Sequence, residues 1–169
     1  ARDNKALPVK PFVLVVAKDT EHAAQLKQTI SSQAFFEGGY TEKVMEIHSG
    51  QRWAEKDENI EKLLGLEHPS NKIEIVIHVN MLKEGWDVTN LYTIVPLRAA
   101  NARILIEQSI GRGLRLPYGK RTGEAAVDRL NIVAHDRFQE IIDDANRADS
   151  PIRLQAVVLD GATLEQKTK

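Results

Sequence analysis

Phe12-Val-Leu-Val-Val-Ala17, followed at once by Lys18-Asp19-Thr20-Glu21, decides the fold class of this chain. An uninterrupted apolar, β-branched run needs no polar face, so it predicts a strand buried on both sides. Pro8 and Pro11 set its start. Asp19 or Thr20 suits a helix N-cap, and Glu21 places a carboxylate in the first turn. Ala23, Ala24, Leu26, Lys27 and Ile30 then recur at helical spacing. A buried strand passing directly into a helix is the opening unit of a parallel α/β sheet.

Working outward, the same alternation continues. Phe35-Phe-Glu-Gly-Gly-Tyr40 reads as a turn with an aromatic rim, and Val44-Met-Glu-Ile-His48 as a second strand closed by Ser49-Gly50. Residues 54–66 read as a helix with Ile60, Leu63, Leu64 and Leu66 on its buried side, ended by Gly65 and Pro69. A third strand is expected over 73–79, with Glu74 towards solvent and His78 as a hydrogen-bonded structural histidine. Leu91-Tyr-Thr-Ile-Val95 is the fourth strand, stopped by Pro96, and Leu130-Asn-Ile-Val-Ala134 the fifth. Helices are expected over 101–115 and 136–147, and an edge strand over 152–159. The expectation is a single α/β domain over 1–169: an open, mostly parallel sheet with helices on both faces and flexible ends at 1–9 and 160–169. Ligands of such sheets gather at the carboxyl ends of the strands.

Composition narrows the function classes. The 169 residues suffice for one domain with a real core. Lys plus Arg number 23 against 24 Asp plus Glu, so a polyanion surface has to come from local clustering. Zero cysteines exclude disulfides and thiolate metal sites and fit a reducing cytoplasm. The five histidines show no metal-ligand spacing, and no apolar run approaches a membrane span. The absence of an initiator Met suggests a piece of a longer protein or a trimmed tag.

Chemistry concentrates in two stretches. Gln108-Ser-Ile-Gly-Arg-Gly-Leu-Arg115 puts Arg112 and Arg115 on one face of the expected helix, because residues three apart are neighbours there. Gly111 lets a backbone or ligand approach closely, and the guanidinium fork suits phosphate oxygens. Glu84-Gly-Trp-Asp87 follows the third strand, with Gly85 free to turn and Asp87 at a strand-end loop. A self-contained phosphate loop is missing: Gly119-Lys120 is followed by Arg121 and preceded five places earlier by Leu114. No acidic pair for Mg²⁺ stands at a strand end, so the chain alone is expected not to hydrolyse a nucleoside triphosphate.

In this order and spacing the sequence resembles the second RecA-like domain of superfamily 2 helicases and translocases. Glu84-Gly-Trp-Asp-Val88 looks like their motif V, residues 108–115 like their motif VI, and Phe12 to Ala17 like the strand called motif IV. The Gly-Trp-Asp-Val and Arg-Gly-Leu-Arg-Leu-Pro wording is most similar to the Res subunit of type III restriction enzymes, over roughly residues 10–148.

The resemblance implies a RecA-like fold and a split active site, with ATP and Mg²⁺ held mainly by an upstream RecA-like domain. Arg115 would be the arginine finger, Arg112 would grip phosphate or support the helix, and Gln108 would position the helix or the attacking water. Gly85 and Asp87 would touch the nucleotide sugar or couple that site to nucleic acid. Lys18, Thr20, Ser49, Gly50 and Asn80 would contact the DNA backbone. Val79 stands where many relatives carry a phosphate-binding Ser or Thr, which leaves Asn80 as the substitute donor. The implied partners are DNA, the upstream domain and a methyltransferase (modification) subunit. Asp160 with Glu165-Gln-Lys167 is too closely spaced for a nuclease metal site, so any nuclease is expected outside the chain. An RNA or DNA-repair helicase, or a non-catalytic RecA-like binding module, are the alternatives.

Overall fold

The computed structural model describes residues 10–48, 61–63, 65–79, 90–97, 122–124 and 128–133, all within one compact unit that runs from 1 to 134. Its framework is a five-stranded sheet: β1 (Phe12–Val16), β2 (Val44–His48), β3 (Ile75–Val79), β4 (Leu91–Pro96) and β5 (Asn131–Ile132), with α1 (Thr20–Ile30) joining the first two. The spatial order is β2-β3-β1-β4-β5, and all four ladders are parallel.

The opening run is the central strand, hydrogen-bonded to β3 on one side and β4 on the other, which is why it carries no polar face. Alternate side chains divide between two cores. Phe12, Leu14 and Val16 join Met45, Ile47, Val76, Leu91 and Ile94 on one face. Val15 and Ala17 join Val44, Ile75, Ile77 and Val79 on the other, under Ala23, Leu26 and Ile30 of α1. Right-handed crossovers explain this division. The step from β1 to β2 runs one way along the sheet and carries α1 to one face. The later steps run the other way, and Leu63 and Leu66 between β2 and β3 pack on the opposite face.

Local chemistry fixes the ends of the elements. The Asp19 carboxylate accepts from the His22 N–H at 2.8 Å, so Asp19 rather than Thr20 is the N-cap. Residues 61–63 are helical and Gly65–Glu67 is a 3₁₀ turn, which shortens the helix expected to reach 66 while leaving Leu63 and Leu66 buried. β3 begins at Ile75 rather than at residue 73, because the Glu74 and Ile75 N–H groups both donate to the Lys43 carbonyl. Glu74 lies at the surface as expected, paired with Lys43 at 3.0 Å. β5 is Asn131–Ile132, paired with Thr93 and Ile94 of β4; the Val133 N–H adds a bond to the Ile94 carbonyl at 2.9 Å, and residue 134 of the expected 130–134 strand lies outside the described residues. Asn90 fastens the opposite edge of the sheet: its buried side-chain amide donates to the carbonyls of Lys10 and Leu66, at 2.8 and 3.0 Å.

The aromatic turn is as expected: Phe35, Phe36 and Tyr40 meet edge to face, with centroids 4.8 to 5.8 Å apart. Phe36, Glu37 and Gly38 all have positive φ (44°, 55° and 75°), a conformation that only the glycine adopts without strain. The expected helices over 101–115 and 136–147, the strand over 152–159 and both chain ends lie outside the described residues.

Candidate nucleic-acid and nucleotide edge

Because every ladder is parallel, the carboxyl ends of the strands share one edge. The chain leaves β1 towards β2 and the face that carries α1, whereas β3 leads past β1 to β4 in the opposite direction along the sheet. The carboxyl end of β1 is therefore the topological switch point of the sheet, the place where ligands of open α/β sheets bind. Lys18, Asp19 and Thr20 occupy that point, all exposed.

Their turn is held from within α1. The Lys18 N–H donates to His22 Nδ1 at 3.2 Å, while Asp19 caps the His22 N–H. His22 Nδ1 therefore acts as an acceptor, which locates the proton of the neutral ring on Nε2. This lock is invisible to a search for metal-ligand spacing; its signal is the Asp-x-x-His step across a helix start. The arrangement leaves the Lys18 ammonium, the Thr20 hydroxyl and the positive end of the 11-residue α1 together at the switch point. Such a set can hold a phosphate diester without reading a base.

Lys18 and Thr20 are thus brought together where the sequence reading put them. Ser49, Gly50, Asn80, Gly85, Asp87, Gln108, Gly111, Arg112 and Arg115 lie outside the described residues. What the strand ends do fix is where those segments start: 49 follows β2 and 80 follows β3, on the edge that carries Lys18. Donors of the kind present there, an ammonium and helix-terminal N–H groups, fit phosphate. The residues that would meet the nucleoside and Mg²⁺ are not among those described.

His78, one residue before the end of β3, departs from expectation. It is buried, with 2% of its surface exposed, yet among the described residues neither ring nitrogen has a hydrogen-bond partner. Burial lowers its pKa from 6.5 to about 4, so the ring is neutral at physiological pH. Each buried polar group without a partner costs about 1–3 kcal/mol. A groove of about 450 Å³ lies elsewhere, along β2 between Lys27, Lys62 and Lys72, and Lys72 is already paired with Glu42 at 3.0 Å. Among the described residues no helix is long and apolar enough to cross a membrane.

Comparison with known proteins bears on the fold. The Res subunit of the type III restriction-modification enzyme EcoPI, from Escherichia phage P1, is 30% identical over 116 residues, which cover 62% of this chain and 11% of that protein. S. cerevisiae Dbp5 bound to RNA and ADP BeF3 superposes with a TM-score of 0.60 at 15% identity, over 94% of this chain and 37% of that one. Domain 2 of the DEAD-box helicase Mss116p, bound to an RNA duplex, gives a TM-score of 0.56 at 10% identity, over 93% of this chain and 56% of that one. The chain has the α/β RecA-like fold of these helicase domains, and over 62% of its length it is similar in sequence to the EcoPI Res subunit. No family model matches it. This RecA-like domain spans about a tenth of the length of the curated relatives it matches. Its central strand, with Lys18 and Thr20 at the carboxyl end, is the opening strand of the domain.

Proposed function

We propose that this RecA-like domain is the second motor domain of an ATP-dependent DNA translocase of the type III restriction class. The observation that carries the reading is the similarity to type III Res subunits, at 30% identity over 116 residues. It is supported by the Lys18–Thr20 turn at the switch point of the sheet, where backbone phosphates fit.

In this reading the active site is split. An upstream RecA-like domain of the same protein holds ATP and Mg²⁺, and this chain supplies the trans-acting groups. Arg115 stabilises charge on the transferring phosphoryl group, a contribution of about 10³–10⁵ in rate for an arginine finger. Arg112 grips phosphate or supports its helix, with Gly111 allowing close approach. Gln108 positions that helix or the attacking water. Gly85 and Asp87 face the nucleotide sugar or link that site to DNA. Lys18, Thr20, Ser49, Gly50 and Asn80 contact the DNA backbone, as a motor that tracks along any sequence requires. The endonuclease lies elsewhere in the full protein, a methyltransferase subunit is its partner, and a reducing cytoplasm suits a chain with no cysteine.

Steady-state ATP hydrolysis tests this directly. The full-length protein hydrolyses ATP faster with duplex DNA present, and the 169-residue chain alone shows no turnover above background. Turnover by the pure chain alone would refute the split site. A full-length protein that ignores DNA would refute the translocase.

A further inference from the structure

β2 is the outer strand of the sheet among the described residues, paired with β3 on one side. Alternate residues of a parallel strand direct their backbone groups to opposite sides. The Lys43 carbonyl takes the Ile75 N–H, so Lys43, Met45 and Ile47 bond to β3, and Val44 points its N–H and carbonyl away from the sheet. Among the described residues neither group meets another backbone. No proline or bulge blunts this edge: the strand is Val44-Met-Glu-Ile-His48, and its register with β3 is continuous.

A groove of about 450 Å³ follows that edge, and Val44, Met45 and Glu46 line it in succession. Successive side chains of a strand point to opposite faces, so a cavity touching all three runs along the strand rather than over one face. Lys27 enters the lining from α1, and Lys62, Lys72 and Ile73 from the segment between β2 and β3. Three lysines against the single carboxylate of Glu46 make the lining cationic. Lys27 has no carboxylate partner among the described residues. Lys72 holds Glu42 in a pair whose side chains are both 74% accessible, which a competing carboxylate can replace. The lining takes the first residues of β2 and those just before β3, so the groove lies towards the opposite edge of the sheet from Lys18.

We propose that this groove is a docking site for an extended acidic segment of a partner protein, which adds to the sheet as a strand beside β2. The segment's backbone exchanges hydrogen bonds with Val44, while its carboxylates meet Lys27 and Lys72. In strand addition the main-chain bonds supply affinity and the flanking side chains selectivity. A nucleic acid fits less well. Its phosphate chain has no N–H to give the outward carbonyl of Val44 and no apolar side chain to set against Met45 and Ile73. The proposal is independent of the motor reading, since it uses the edge away from Lys18 and Thr20.

The test titrates full-length protein, as wild type and Lys27→Glu, into fluorescent peptides of about six residues, the usual length of a strand, and follows anisotropy. One peptide alternates valine with glutamate, a second alternates valine with lysine, and a third is the glutamate peptide methylated on its backbone nitrogens. The glutamate peptide binds wild type about tenfold more tightly than its methylated form, the loss expected for two backbone hydrogen bonds. It also binds more tightly than the lysine peptide, and Lys27→Glu weakens it about fivefold without lowering the unfolding midpoint. Equal affinity for the glutamate peptide and its methylated form would overturn strand addition. Equal affinity for the glutamate and lysine peptides, or for wild type and Lys27→Glu, would overturn the acidic docking site. Displacement of the glutamate peptide by oligothymidylate would assign the groove to nucleic acid and so overturn the proposal. No binding by the full-length protein, as when a segment of its own covers the edge, would overturn it too.

Discussion

Enclosing an imidazole between Val16 and Ile47 ties the stability of this sheet to pH. The folded state holds the His78 pKa at about 4, against 6.5 for a free histidine, so between these values the unfolded chain binds the extra proton. Stability from the neutral ring is therefore complete above pH 6.5 and is lost as pH falls towards 4, at about 1.4 kcal/mol per pH unit. Urea unfolding of the chain from pH 7 to 4.5 measures the slope, and His78→Leu removes this component; parallel curves for the two proteins would contradict it. The sequence showed a histidine in a strand but not its lack of partners among the described residues. That property depends on the neighbours β1 and β2, which lie far away along the chain. Asn90 was hidden for the same reason, since its amide reaches Lys10 and Leu66, 80 and 24 positions away.

Elements whose character is set locally were the legible ones. An uninterrupted apolar run located β1, short β-rich runs located β2 and β4, and Asp19 ahead of a helical repeat located the start of α1. Asp19→Ala leaves the His22 N–H without its acceptor and costs about 1 kcal/mol, most of it recovered by Asp19→Ser. Urea midpoints of the two variants decide this, and equal midpoints for alanine and wild type would remove the cap from the account. Where hydrogen bonding beyond the element intervenes, sequence bounds drifted. The Lys43 carbonyl takes the N–H groups of both Glu74 and Ile75 and delays β3. Pairing with Thr93 and Ile94 of β4 makes β5 Asn131–Ile132, although Leu130 and Val133 beside it also have strand character.

At the scale of the molecule, alternation of strand and helix gave a parallel sheet, but nothing in the chain announces that β3 inserts between β2 and β1. That order is decided by which faces can be buried together. It also makes the carboxyl end of β1 the switch point, where Lys18 and Thr20 stand. If Lys18 neutralises a DNA phosphate, Lys18→Ala in the full-length protein lowers the slope of log K against log salt by about 1, equally on unrelated sequences. An unchanged slope would move the DNA path elsewhere. The motif stretches were the most legible part of the candidate site in the sequence, because the types and spacing of Gly85, Asp87, Gln108, Arg112 and Arg115 are local; their geometry is not among the described residues. The central claim, that this domain lends an arginine to an active site it does not itself contain, is tested most directly by Arg115→Ala in the full-length protein. DNA-stimulated ATP hydrolysis falls about 10³-fold or more while ATP binding stays near wild type. A hydrolysis rate within a few fold of wild type would contradict the account.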